Sequence, residues 1–235
     1  MPQHIRTIMM THSGMYMIIV GLGGIGRTLV AYSAERGDSV VVIDKNETRC
    51  NDILEEYDVL VIAGNATNTN ILHEAGIDKA DVLIATTSDD AVNLMTCWLA
   101  KKLNVPHVIS IVNQKEHYDL FETVGVTINE NPDELVAARL HLWASHPTLK
   151  KLAEISGGII LEFDVEPDCR MIDQELRTLN PRDFVLIAIQ RAGGELIIPS
   201  GSVRFRPRDK VTIFAKQSAE DATLKILRDS FSSKK

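Results

Sequence analysis

Between residues 15 and 44 the chain sets an aliphatic run, a glycine-rich hexapeptide, an amphipathic stretch and a second aliphatic run that ends in a carboxylate. The hexapeptide is Gly21-Leu22-Gly23-Gly24-Ile25-Gly26, a G-x-G-x-x-G. Alone the pattern is common. Here residues 15–20 read as a strand before it, and 24–36 read as a helix after it, with apolar side chains at Ile25, Leu29, Val30 and Ala34. Asp44 follows 18 residues past Gly26, at the end of a second strand over 39–43. That context predicts a β-α-β unit with a phosphate-binding turn. Gly21 permits the tight turn, Gly23 lets the backbone approach a pyrophosphate, and Gly26 allows close helix–strand packing. The helix N-terminus offers N–H groups and a partial positive charge to phosphates. Asp44 would accept hydrogen bonds from the ribose of an adenosine and repel a 2′-phosphate, which favours NAD over NADP. Lys45 and Arg49 are nearby cations that weaken this exclusion.

The same rhythm continues. A helix is expected over 47–57, strands over 59–63, 80–85, 107–112 and 126–128, and a helix over 90–103, with Val92, Met95, Leu99 and Leu103 on one side. Uninterrupted aliphatic strands are buried on both faces, as in parallel sheets. Six of them alternating with helices predict a Rossmann-like, doubly wound α/β domain. In such sheets the ligand lies outside the carboxyl ends of the strands. Gly64-Asn65-Ala66-Thr67 after the third strand and Thr86-Thr87-Ser88-Asp89-Asp90 after the fourth are therefore expected to face a nucleotide, with Asn65-Ala66-Thr67 and Thr86-Thr87 as the contacts, although such residues also cap helices.

Beyond this domain, helices are expected over 132–145 and 148–156, broken at His146-Pro147, as a helix-turn-helix crossover suited to a dimer contact or hinge. The rest reads as a small α+β module: strands over 159–165, 184–190, 195–199 and 210–215, a hairpin turn at Gly193-Gly194, and helices over 172–179 and 219–231. The expected organisation is a disordered leader (1–14), a nucleotide-binding domain (15–131), a crossover (132–156) and a C-terminal module (157–235).

Composition narrows the function. Net charge is −7 over 235 residues, which argues against nucleic acid as the main partner. No apolar run approaches the roughly 20 residues of a membrane-spanning helix. Three cysteines without a C-x-x-C read as reduced, buried thiols. Asp164, Glu166 and Asp168 read as a solvated acidic face rather than a metal site, and Arg204, Arg206 and Arg208, in a loop or strand edge, as a charged edge that blocks sheet aggregation, with an acidic partner as the alternative. There is no Tyr-x-x-x-Lys. His73, His107, His117, His141 and His146 show no ligand spacing to one another or to a carboxylate. The expectation is a nucleotide site with no catalytic chemistry attached, and so no enzyme.

The glycine loop, residues 40–44, 64–67 and 85–90, the strand at 184–190 and the segments 195–201 and 208–211 together resemble the RCK (KTN) regulators of potassium conductance, in particular the Trk-type potassium-uptake regulatory subunits. The resemblance covers about residues 15–230. It implies a cytoplasmic protein, peripheral at the inner face of the membrane, docked on a Trk/Ktr-type potassium transporter or channel subunit. It implies homodimers and higher rings, tetrameric or octameric, and NAD(H) or alternatively ATP/ADP bound in the first domain to shift a gate by differential binding. The cofactor positions carried over are Gly21 to Ile25, Asp44, Thr86 and Thr87. Many relatives place an Arg at the end of the fifth strand, where this chain has Ile111. Asn113 is then the neutral donor available, and the choice between dinucleotide and ATP/ADP stays open. The chain also holds one N/C pair where some relatives hold two. Two other readings are an NAD-dependent oxidoreductase, which lacks an acid/base constellation, and an NADH-sensing transcription regulator, which lacks a basic winged-helix segment.

Overall fold

A computed structural model describes residues 14–145, 147–179 and 182–232. The expected leader lies outside these residues except for Gly14. The chain divides into two compact units, residues 1–134 and 135–235.

The first unit is built around Tyr16–Val20 (β1), whose aliphatic side chains are sealed on both sides. Ile18 and Val20 enter one core layer with Leu83, Val108 and Phe121, while Met17 and Ile19 enter the other with Val30, Val42 and Ile53. This two-sided burial accounts for the unbroken aliphatic run. The other strands are Ser39–Asp44 (β2), Leu60–Ala63 (β3), Val82–Ala85 (β4), His107–Ile111 (β5) and Ile128–Glu130 (β6). All pair in parallel, in the order β3-β2-β1-β4-β5-β6. Helices Gly24–Glu35 (α1), Glu47–Glu56 (α2), Thr69–Glu74 (α3), Asp90–Lys102 (α4) and Tyr118–Val124 (α5) connect them. The strand order reverses between β1 and β4, so the crevice outside their carboxyl ends is the switch point of a doubly wound sheet.

Helix Pro132–Ser145 (α6) follows. The second helix of the expected crossover is absent: Leu149–Ile155 is a strand (β7), antiparallel to Gly158–Asp164 (β8). The cause is a bulge. Pairing steps from Lys151 opposite Leu161 to Ala153 opposite Ile160, leaving Leu152 as an extra residue. The bulge breaks strict alternation and leaves apolar residues at 149, 152 and 153, the spacing of a helix face. Gly157, at φ +77°, turns the hairpin.

Phe184–Gln190 (β9), Leu196–Ile197 (β10) and Lys210–Lys216 (β11) complete an antiparallel sheet ordered β10-β9-β11-β8-β7. The helix Glu220–Phe231 (α7) sends Leu224, Leu227 and Phe231 into its core. The Phe231 ring lies 4.7 Å from that of Phe163 and 5.0 Å from that of Phe205. Burying side chains of this size contributes about 1.5–3 kcal/mol each.

One further expectation fails in this unit. The helix expected over 172–179 shrinks to a single 3-10 turn at Leu176–Thr178, because Ile172 and Glu175 bridge to Phe205 and Arg204 instead. Arg204, Arg206 and Arg208 lie in the loop before β11, with Arg204 at an isolated bridge to Glu175. Arg204 pairs with Glu175 at 3.1 Å, the Arg206 N–H donates to Asp209 Oδ2 at 2.8 Å, and Arg208 sits at φ +64°. Buried Asp209 also pairs with Arg191, so this turn is pinned from inside. The acidic series is split as well: Asp164 ends β8 and pairs with Lys210 at 2.9 Å, while Glu166 and Asp168 lie beyond the strand. Among the described residues no group of three His, Cys, Asp or Glu could hold a metal.

All three cysteines are free and buried. Burial raises their thiols above the ordinary range, Cys97 to about 12, which keeps them protonated and unreactive.

Candidate functional site

The glycine loop occupies the switch point. Gly21 sits at φ +98°, and its N–H donates to the Ile43 carbonyl at 2.8 Å. A methyl group on Gly26 would stand 1.8 Å from the Gly21 carbonyl oxygen and 2.7 Å from Thr86 Oγ1, so α1 can approach β1 here only through glycine. At Gly23 and Gly24 an added Cβ would meet nothing within 4 Å. Ile25 beside them is 41% exposed. The loop is closed on the protein side at Gly21, Leu22 and Gly26 and open over Gly23, Gly24 and Ile25.

The N-terminus of α1 differs from those of the neighbouring helices. Asn46 caps α2, Asn68 caps α3 and Asp89 caps α4 through side-chain oxygens. The cap position of α1 is Gly23, with no side-chain cap and no acidic residue in the first turn. Its orphan donors face the opening left by Gly23 and Gly24.

Asp44 reaches into the same loop. Its buried carboxylate accepts from the Leu22 N–H at 2.5 Å and the Asn46 N–H at 2.8 Å, and Arg49 stands 4.0 Å away. Asp44 therefore clamps the glycine loop to the end of β2, and each oxygen keeps a second lone pair. Lys45 is exposed.

The remaining candidates divide. Asn65 is exposed and Oδ1 accepts from the Thr67 N–H at 3.0 Å, a local turn at the end of β3, while Ala66 is buried in the core. Thr86 is buried, and its hydroxyl lies 3.0 Å from the carbonyls of both Val20 and Gly21. It braces the glycine loop from beneath. Thr87 is half-buried, with its hydroxyl 2.6 Å from Asn93 Oδ1. The Asn113 side chain donates to Asp90 Oδ1 at 2.7 Å and to the Thr87 carbonyl at 3.2 Å. Both amide hydrogens are thereby engaged within the protein.

Two polar residues in this region, Asn93 and His117, escape sequence reasoning, and Asp90, expected to face the nucleotide, is buried instead. Asn93, fully buried in α4, donates to the Thr87 carbonyl at 2.9 Å and accepts from the Thr87 N–H at 3.1 Å. Asp90 is 6% exposed and accepts from the Asn113 and Gln114 N–H groups at 2.8 and 2.9 Å. His117 Nδ1 lies 2.8 Å from Asp90 Oδ2. His117 thus meets a carboxylate, as does His73, 3.0 Å from Asp78, although the histidines show no ligand spacing in the sequence. The Asp90–His117 pair is 27 residues apart in sequence, and no local spacing announces it.

Burial pushes the Asp90 carboxyl up, but hydrogen bonds from the Asn113 N–H, His117, the Gln114 N–H and the Asn113 amide outweigh it and hold the group below the ordinary carboxylate range. A folded-state pKa below the unfolded one contributes stability that is present above the unfolded pKa and lost as pH falls through the folded value. Asp90→Asn is accordingly expected to cost about 2 kcal/mol at pH 7. That deficit should shrink as pH drops below about 4, read by urea unfolding of both proteins across this range.

The TrkA-N domain family matches residues 17–132, and the TrkA-C domain family matches residues 160–228. The chain is 35% identical over 223 residues to the Trk system potassium uptake protein TrkA homolog of Pyrococcus abyssi, covering 91% of this chain and 97% of that one. The chain belongs to the TrkA family. The TrkA homolog of Methanothermobacter thermautotrophicus is 31% identical over 207 residues, covering 87% and 95% of the two chains. Among solved structures, this TrkA-family chain is similar to the GsuK channel bound to NAD, with a TM-score of 0.64 at 20% identity. That likeness covers 96% of this chain and 41% of the GsuK chain. A GsuK structure bound to ADP matches at TM-score 0.52 and 22% identity, over 57% of this chain and 35% of that one. At these identities the likeness is one of fold. The TrkA-N span takes in β1 from Met17 on and the other five parallel strands, and the TrkA-C span runs from β8 into α7. The bulged β7 falls between the two. Among the described residues no helix is long and apolar enough to cross a membrane.

Proposed function

We propose that this TrkA-family chain is a nucleotide-sensing regulatory subunit of a potassium transport system, which binds NAD(H) or ATP/ADP at the glycine loop and gates a membrane transporter by changing shape. The observation that carries this reading is the uncapped N-terminus of α1, open above Gly23 and Gly24 and flanked by the buried carboxylate of Asp44. Phosphates meet backbone N–H groups there, and the ribose meets the free lone pairs of Asp44. Asn113 is committed elsewhere, so the phosphate donors are backbone groups of Gly23, Gly24 and Ile25. The GsuK structures with NAD and with ADP support an adenine nucleotide as the ligand class.

The role is binding rather than turnover. The Asp90–His117 pair would serve an oxidoreductase, but its carboxylate is shared with three donors from Asn113 and Gln114, the pattern of a loop clamp. Helix α6 exposes Leu135, Val136, Leu140 and Trp143, an apolar surface that suits assembly into homodimers and rings. The subunit then sits in the cytoplasm, peripheral to the membrane through its Trk/Ktr-type partner.

The test is net potassium uptake by cells of the source organism at limiting external potassium. Deleting this chain should slow or deregulate uptake, and the parent sequence should restore it. Uptake unchanged by the deletion at all external concentrations would contradict the proposal.

A further inference from the structure

A run of hydrogen bonds joins Thr87, packed beside the glycine loop, to the start of α6. Thr87 abuts the loop: a Cβ on Gly21 would stand 3.0 Å from the Thr87 nitrogen. The Thr87 carbonyl accepts from Asn93 at 2.9 Å and from Asn113 at 3.2 Å. Asn113 is held in turn by Asp90, and its own carbonyl accepts from Asn131 Nδ2 at 3.2 Å. Asn131 is 6% exposed, and its Oδ1 accepts from the Glu134 N–H at 2.9 Å in the first turn of α6. Asp90, Asn93 and Asn131 in this network are buried, so displacing one of them alone leaves a desolvated polar group unpaired.

We propose that Asn131, through Asn113 and Asp90, couples occupancy of the glycine-loop cleft to the N-terminal turn of α6. This rests on the nucleotide reading above. A ligand seated over Gly23 and Gly24 shifts the Thr87 peptide, Asn113 follows the carbonyl it donates to, and Asn131 carries the displacement to the helix cap. By linkage, strain applied to α6 changes nucleotide affinity to the same extent.

Asn131 is a positioning residue that touches no ligand, and its two hydrogen bonds can be separated. Asn131→Asp keeps an oxygen to cap Glu134 and removes the donor to Asn113. Asn131→Ser also caps, is too short to reach Asn113, and guards against a folding defect from the added charge. The readout is hydrogen exchange of α6 amides with and without saturating NADH, ATP or ADP, with affinity measured by calorimetry on the same full-length protein. In the parent, ligand should change exchange in the first turn of α6 by about fivefold or more, the lower end of ordinary allosteric coupling. In both variants affinity should remain close to that of the parent while the exchange response at α6 is lost. A response that persists in both variants, or a parent that binds ligand without any response at α6, overturns the coupling alone. A parent that binds none of the three nucleotides overturns the nucleotide reading, and the coupling falls with it.

Discussion

Gly26→Ala should destabilise the first unit by about 3 kcal/mol, the upper end of overpacking costs, and abolish nucleotide binding. The new methyl group lands 1.8 Å from a backbone oxygen, so no side-chain rotation relieves the clash. Either α1 retreats from β1 or the Gly21 peptide turns. Turning that peptide swings its Leu22 N–H off Asp44 and disturbs the Thr86 brace. Gly24→Ala is the matched control. Its Cβ meets nothing within 4 Å, and alanine suits a first helical turn, so stability should hold or rise by up to about 1 kcal/mol. The same methyl group stands in the open cleft and should weaken the ligand. Urea unfolding and calorimetric titration separate the two effects. Equal stability for the two variants would contradict the assigned geometry.

Asp44→Ala carries the second large effect. It strips the buried Leu22 N–H and the Asn46 N–H of their acceptor, at a cost of about 2–3 kcal/mol. It also removes the group assigned to the ribose, and hydrogen bonds to a charged partner of this kind are worth about ten- to a hundredfold in Kd. The protein should remain folded at low temperature, because both cores beneath the loop are untouched. A variant with parent-like stability would mean that Asp44 does not clamp the loop. A variant with parent-like affinity would remove it from the site.

The first unit was largely legible in the sequence because its signals are local. β1, the glycine loop, α1 and Asp44 fall within 30 residues, and each reports on its neighbour through periodicity or turn chemistry. The roles of Thr86, Asn93 and Asn113 were less legible. A threonine after a strand reads alike whether it meets a ligand or, as Thr86 does, braces the carbonyls of a loop 65 residues away. Asp90 and His117 meet only because β4 and β5 are adjacent in the sheet, which spacing within either segment does not reveal. The second unit misled at Leu149–Ile155, where one bulged residue, Leu152, imitates the repeat of a helix. It misled again at 172–179, where bridges to Arg204 and Phe205 replace the expected helix.

The central claim is that the open end of α1 receives an adenine nucleotide whose ribose meets Asp44. Calorimetric titration of the full-length protein with NADH, NADPH, ATP and ADP tests it most directly, with Gly24→Ala and Asp44→Ala in parallel. Saturable binding of NADH or of ATP/ADP is predicted, with NADPH weaker than NADH because its 2′-phosphate meets the buried carboxylate, and with both substitutions reducing affinity. Failure of every nucleotide to bind, or binding indifferent to both substitutions, would contradict the account.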